Sequence, residues 1–518
     1  MKKLSIVLSV LLVFGLESCS NWLDIKPESE IVLEDFWQTE SQATAVLAGG
    51  YRGLVSDPVI ERMIVWGELR SDNMQAGSST RASMLDVLNL NITPTSPYAD
   101  WSSFYSVINY CNTFLYYAPS VVARDQNFTV TKLHTMEAEA LTLRALSYFY
   151  LVRAFHEVPL ILNPSISDAQ NYKVPKSTER DILDQIIKDL LQAQTYAKTT
   201  YGTEAFDKGR VTLNAVNALL ADVYLWDQQY ANCAAMCDRV LTDKTLKLVD
   251  GDKVLTNVFY TGNSTESIFE LQFDIKIQNN NQVNQLYGSS GKPFGELAYS
   301  FFLGPKGALN PFNYLPSTLN ESAVDIRQSN SFGVVAVGSG YSIFKYALYS
   351  LTEASNGVLT AFYRSASTTP NWILYRLSDV ILMKAEALTQ LDRSDDDLKE
   401  SLKLVNTTYL RSNITADSLS FTNYSNKEKM QDLVLRERQR ELLFEGKRWF
   451  DLMRVVRRAN TASLILKYIS PKLTGDAMQV QKMSVMNALY MPILQSELQI
   501  NTSLIQNPFY LDTDLTSK

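Results

Sequence analysis

The chain has 518 residues, 46% of them hydrophobic, which is ample for a sizeable core and too long for one small domain. A net charge of −7 excludes the basic footprint that nucleic-acid binding requires, and excludes electrostatic adhesion to anionic lipid. With 27 Tyr, 22 Phe and 7 Trp against 2 His, most rings are expected in the core, and binding chemistry leans toward ring stacking and away from histidine.

Lys2 and Lys3 give a short positive start, Leu4 to Leu16 is an apolar run without charge, and small Ser18 precedes Cys19. This is the layout of a secretory signal. The run falls short of the roughly 20 residues that a spanning helix needs, and no later segment is long and apolar enough. A cysteine directly after the small residue changes the outcome, because its thiol can take a lipid. Leu16-Glu17-Ser18-Cys19 resembles a bacterial lipobox, with Glu17 as its one departure. Residues 1–18 are therefore expected to be removed and Cys19 acylated. Residues 19–518 then form a body tethered to a membrane by its lipid.

Within that body, 56–100 reads as a loop-rich insertion. A helix pair follows near 101–155. Ala138, Leu141, Ala145, Phe149 and Val152 recur at helical spacing and predict one buried stripe, with Pro159 beyond its end. A second pair lies near 181–241. In it, Ala218, Leu219, Ala221, Tyr224 and Leu225 predict one helix, Asp227 to Tyr230 a turn, and Ala231 to Leu241 another helix. Small residue, tyrosine, short turn, tyrosine, small residue is the order of a tetratricopeptide repeat. Cys233 falls where such repeats place alanine, so Cys233 and Cys237 are expected in the core, and no metal site is expected. The stretch 252–367 is rich in Gly, Asn, Ser and aromatic residues, with short alternating runs such as Ser267 to Phe273, and predicts loops and short strands. A third pair is expected near 372–411 and a fourth near 431–454.

The last of these carries a dense charge pattern. Glu437, Glu441 and Glu445 recur every four residues beside Arg436, Arg438, Arg440 and Arg448. Paired carboxylates could serve glycoside cleavage. Charges of opposite sign three and four apart instead predict mutual pairing, and Leu442, Leu443, Phe444, Trp449 and Phe450 predict burial beside them.

The segment Leu435 to Arg454 (LRERQRELLFEGKRWFDLMR) resembles the C-terminal signature of the SusD/RagB family of outer-membrane nutrient-binding lipoproteins. Cys19 to Pro27, Tyr375 to Ala387 and Pro492 to Tyr510 are similar to other segments of the same family, in the same order. Thr502, Ser503 and Phe509 depart from its tail pattern. The resemblance implies an all-α fold: tetratricopeptide-like helix pairs form a right-handed superhelical scaffold, beside an irregular ligand-binding portion with short strands. It also implies a non-enzymatic protein of the outer-membrane exterior, which binds glycan or another nutrient and serves a SusC-like TonB-dependent transporter, with no cofactor.

Sugars present flat C–H faces to aromatic rings and hydroxyls to Asp, Asn or Arg. Exposed rings flanked by such residues are therefore the expected site. Two regions fit: Glu68 to Asn73 followed by Tyr98 and Trp101, and the stretch with Tyr299, Phe312, Asn313, Tyr314 and Tyr341. The ligand-contact candidates are Asp72, Arg81, Tyr98, Trp101, Phe312 and Tyr314. Two other functions fit the same composition: a membrane-anchored helical glycoside hydrolase, and a peptide-binding member of the same family.

Overall fold

The computed structural model describes residues 36–77, 80–167, 169–274, 281–288, 297–299, 312, 325–333, 342–353, 359–364, 369–473 and 477–511. The signal segment, Cys19 and Tyr314 lie outside this set.

The body is built mainly on helices, several of them long. Those of the scaffold, in chain order and leaving aside five short helices among the described residues, are α1 (Glu40–Leu54), α2 (Asp57–Ile64), α3 (Ala82–Leu88), α4 (Ser102–Val121), α5 (Val130–Phe155), α6 (Glu179–Tyr196), α7 (Glu204–Gly209), α8 (Leu213–Trp226), α9 (Tyr230–Leu241), α10 (Leu377–Leu391), α11 (Asp395–Ser412), α12 (Lys427–Glu441) and α13 (Arg448–Ala459). Their starts follow from capping side chains that accept from otherwise orphaned N–H groups. Thr39, Thr129, Thr178, Thr212, Ser394 and Asn426 all do this, and Thr39 with Gln42 forms a reciprocal capping box. Asp392 and Asn460 end α10 and α13 in the left-handed conformation.

Sequential helices pack on one another: α4 on α1 and α5, α5 on α6, α8 on α6 and α9, α9 on α10, and α10 on α11 and α12. The stripe expected on α5 is buried, but so is every residue from Ala138 to Phe155, because α5 is flanked on several sides. Cys233 and Cys237 are fully buried in α9, and Cys233 Sγ lies 3.9 Å from the Met383 carbonyl of α10.

Three segments differ from the sequence expectation. Residues 56–100 are more helical than their composition suggests, holding α2, a π-helical turn over Val65–Leu69 and α3. Trp372–Arg376 is a strand, not the start of a helix; it pairs antiparallel with Ser267–Leu271, and α10 starts directly after it. Burial on every residue of both strands explains why no two-residue alternation marked the second one. The fourth pair begins at Lys427 and breaks at a turn after Glu441, where Phe444 and Gly446 take positive φ.

The carboxylates of α12 and of the turn after it are structural. Glu437, Glu441 and Glu445 are all buried, yet their cations come mostly from elsewhere in the chain. Glu441 meets Arg376, Arg411 and Arg327 at 2.6, 2.5 and 3.0 Å. Glu445 meets Lys345 and Arg376, both at 2.7 Å. Glu437 meets Arg327 at 2.8 Å and Arg440, three residues along its own helix, at 2.7 Å. Burial opposes their charge, but these cations outweigh it and hold all three acids below the usual carboxylate range. Asp325, Arg327 and Lys345 bring the stems of the loop-rich portion into this cluster, which clamps that portion to the helical body.

Candidate functional site

The segment Gly67 to Asn73 locks onto the turn after α12. Gly67 lies so close to that turn that a Cβ on it would fall 1.8 Å from the Gly446 carbonyl oxygen. Glu68, fully buried, accepts from Asn73 Nδ2 at 2.7 Å and from the backbone N–H groups of Phe444, Lys447 and Arg448 at 3.2–3.4 Å. The Arg70 guanidinium lies 4.3 Å from the Trp449 ring centroid. Lys472 donates to the Leu69 and Ser71 carbonyls, and burial pushes its amine down to about 7.

This lock aims the chain into β1 (Met74–Ala76), which pairs antiparallel with β2 (Leu297–Tyr299), Met74 standing opposite Tyr299. Tyr299, the first residue of the second region singled out from sequence, therefore stands across from Met74, which directly follows Asn73 of the first region.

Beside β1, Arg81 and Tyr98 converge on one carboxylate oxygen. Arg81 Nη2 and Tyr98 Oη each donate to Glu61 Oε1 at 2.7 Å. Glu61, on α2, carried no sequence signal beyond its place on an amphipathic turn. Burial, reinforced by Glu61, pushes the Tyr98 phenol above its ordinary range, so it stays a donor. The loop under it is fixed by Arg62, which donates to the Pro97 and Asp100 carbonyls and pairs with the Asp100 carboxylate at 2.9 Å, and by Trp66 Nε1 on the Tyr98 carbonyl. Among the expected contact residues that are described, Arg81 is the one with substantial exposure, 42% of its side chain.

The other expected contacts are placed differently. Asp72 is buried in a two-pronged pair with Arg448, at 2.8 and 2.7 Å, and also accepts from Gln439, so its oxygens serve the lock. The Tyr98 ring is 3% exposed. Trp101 is also 3% exposed and packs edge-on against Phe155 and Tyr105, because it caps the start of α4 and turns inward. Phe312 is buried against Phe332, ring centroids 6.0 Å apart. These four are not surface platforms. The exposed chemistry on this face is the Arg81 guanidinium, held by the mostly covered Glu61 carboxylate that Tyr98 also braces, a donor suited to hydroxyl groups.

The family profile described as "SusD family" matches residues 326–510, and the one described as "Starch-binding associating with outer membrane" matches residues 21–225. The chain belongs to the SusD family. It is 25% identical over 485 residues to SusD-like protein P38 of Formosa agariphila, covering 88% of this chain and 91% of that one. It is also 25% identical over 478 residues to a SusD-like protein of Bacteroides ovatus, covering 87% and 82%. Among solved structures, a SusD superfamily protein of Bacteroides vulgatus superposes with a TM-score of 0.71 at 19% identity, over 92% of this chain and all of that one. A laminarin-binding SusD-like protein superposes with a TM-score of 0.67 at 22% identity, over 91% and 99%. SusD members share the helical, tetratricopeptide-like architecture seen here.

Proposed function

We propose that this SusD-family chain is a cell-surface lipoprotein that binds glycan without cleaving it and delivers it to a SusC-like TonB-dependent transporter. The observation that carries the reading is the convergence on Glu61 of Arg81 and Tyr98, both from the segment that follows β1, whose partner strand β2 ends at Tyr299. Fixed donors and acceptors of this kind bind hydroxyls through exchangeable hydrogen bonds. The starch-binding description of one matching profile and the laminarin-binding neighbour support the ligand class. The signal layout before Cys19 supports a lipid anchor, and the description of one matching profile supports the outer membrane as its place.

The buried pairing of Glu437, Glu441 and Glu445 weighs against the hydrolase reading, because it removes the most concentrated set of acids from any cleft. Affinity electrophoresis through gels containing laminarin, starch, xylan or mannan tests the proposal, with the soluble products analysed alongside. Retardation by at least one glycan, weakened by Arg81→Ala and with no product released, is the expected result. Release of shortened sugars would overturn the non-enzymatic reading. Co-purification of an outer-membrane β-barrel with the acylated protein checks the delivery role.

A further inference from the structure

We propose that a cavity along α4, away from the Arg81–Glu61 cluster, is a second saccharide-binding site. The inference rests on the glycan reading above and adds a place and a geometry to it.

The cavity has a volume of about 400 Å³, within the usual range for small-molecule sites and suited to a sugar of roughly one or two rings. It is assembled from three segments far apart in sequence: the outer face of α4, the loop over residues 159–174, and a short helix near the C-terminus, Gln495–Ile500. Each junction is tied by hydrogen bonds, so the walls are set before any ligand arrives. Tyr105 Oη donates to the Pro159 carbonyl at 2.6 Å. Asn112 donates to the Ile161 carbonyl at 2.9 Å. The Ser165 N–H donates to Asn109 Oδ1 at 2.8 Å. Asn501 Nδ2 donates to the Val174 carbonyl at 2.8 Å, joining the loop to the C-terminal helix.

The lining divides into two kinds of surface. Tyr105 and Tyr172, with Ile500, supply apolar faces. Tyr172 is half exposed, yet its hydroxyl is already engaged by the Ser167 carbonyl and Gln170. Its ring is therefore held in place, with apolar surface left over for stacking. The Asn109 side-chain N–H groups and the Glu497 carboxylate also line the cavity, and among the described residues neither has a hydrogen-bond partner. Burial raises the Tyr105 phenol well above its ordinary range, so it stays a donor to the Pro159 carbonyl, and Glu497 lines the same cavity. A flat C–H face against Tyr172, a hydroxyl donating to Glu497 and another accepting from Asn109 would use both of these groups and the held ring together. A peptide strand would need a row of backbone partners, and among the described residues no strand edge borders the cavity.

The test uses residues 19–518 with Cys19→Ser, titrated by saturation-transfer NMR and calorimetry with maltose, cellobiose, laminaribiose, mannobiose and xylobiose, and with tetramethylammonium as a cation control. At least one disaccharide is expected to bind in the Arg81→Ala background, and Tyr172→Ala or Glu497→Gln in that background should weaken it by at least about fivefold. Tyr172 and Glu497 are not core residues, so both variants should keep the wild-type unfolding curve. Disaccharide binding that is lost with Arg81→Ala and indifferent to Tyr172→Ala overturns this site and leaves the proposed function standing. Preference for tetramethylammonium overturns it as well. Absence of any disaccharide binding overturns it; if the glycan gels are then also silent, the proposed function falls with it.

Discussion

Replacing Asp72 by Asn separates a structural role from a ligand-binding one. The carboxylate sits 2.8 and 2.7 Å from two Arg448 nitrogens, and both side chains are under 10% exposed. Asn keeps the shape and one acceptor but removes the charge. Arg448 is then left buried with only the Leu435 carbonyl at 3.2 Å as a further acceptor. Removing one partner of a buried pair costs about 3–5 kcal/mol, and the surviving amide acceptor places Asp72→Asn at the lower end, about 3 kcal/mol. Arg448→Met should cost a similar amount, and the double variant much less than the sum, with a coupling energy of about 2 kcal/mol. Urea unfolding of the four proteins, followed by circular dichroism, measures all of these terms. If Asp72→Asn unfolds within about 0.5 kcal/mol of wild type while glycan retention is lost, the carboxylate serves a ligand and the structural reasoning is refuted.

Gly67→Ala should destabilise by more than about 3 kcal/mol, since backbone must move to admit the new Cβ, whereas Gly202→Ala, in open space at φ +91°, should cost only about 1 kcal/mol; thermal unfolding compares them, and equal costs would argue against the backbone contact at Gly446. Acid should weaken the fold through Glu179: burial raises its pKa, but His156 and Arg457 outweigh burial and bring it from 4.5 to about 2. A depressed folded pKa gives stability that is present above about 4.5 and lost as pH falls toward 2, worth about 3 kcal/mol over that window. Glu179→Gln should flatten this limb of a stability-against-pH curve; an unchanged slope would remove Glu179 from the account. Cys19→Ala should move the protein from the membrane fraction to the soluble one, and retention in membranes would count against the lipid anchor.

The helical scaffold was readable because its signals are local. The order Ala218, Tyr224, turn, Tyr230, Cys233 spells two packed helices within thirty residues, and α8 and α9 lie where that order places them. The acids of α12 were readable as structural from their alternation with arginines, and the Glu437–Arg440 pair follows that spacing, but most partners were not readable, because Arg327, Arg376 and Arg411 arrive from other segments. The same long reach hid the site. Asp72 and Tyr98 look exposed in sequence, among polar neighbours, and only the fold brings Arg448 to one and Glu61 to the other. The α4 cavity escaped sequence reading altogether, since Asn109, Tyr172 and Glu497 share no local pattern and meet only through the loop and tail that cross α4.

The β1–β2 ladder is only three residues long on each side, yet it stitches together two stretches contributed by opposite halves of the polypeptide. Anyone transplanting the recognition surface into a relative must therefore carry both stretches as a matched set. A graft of one alone would lose its seam.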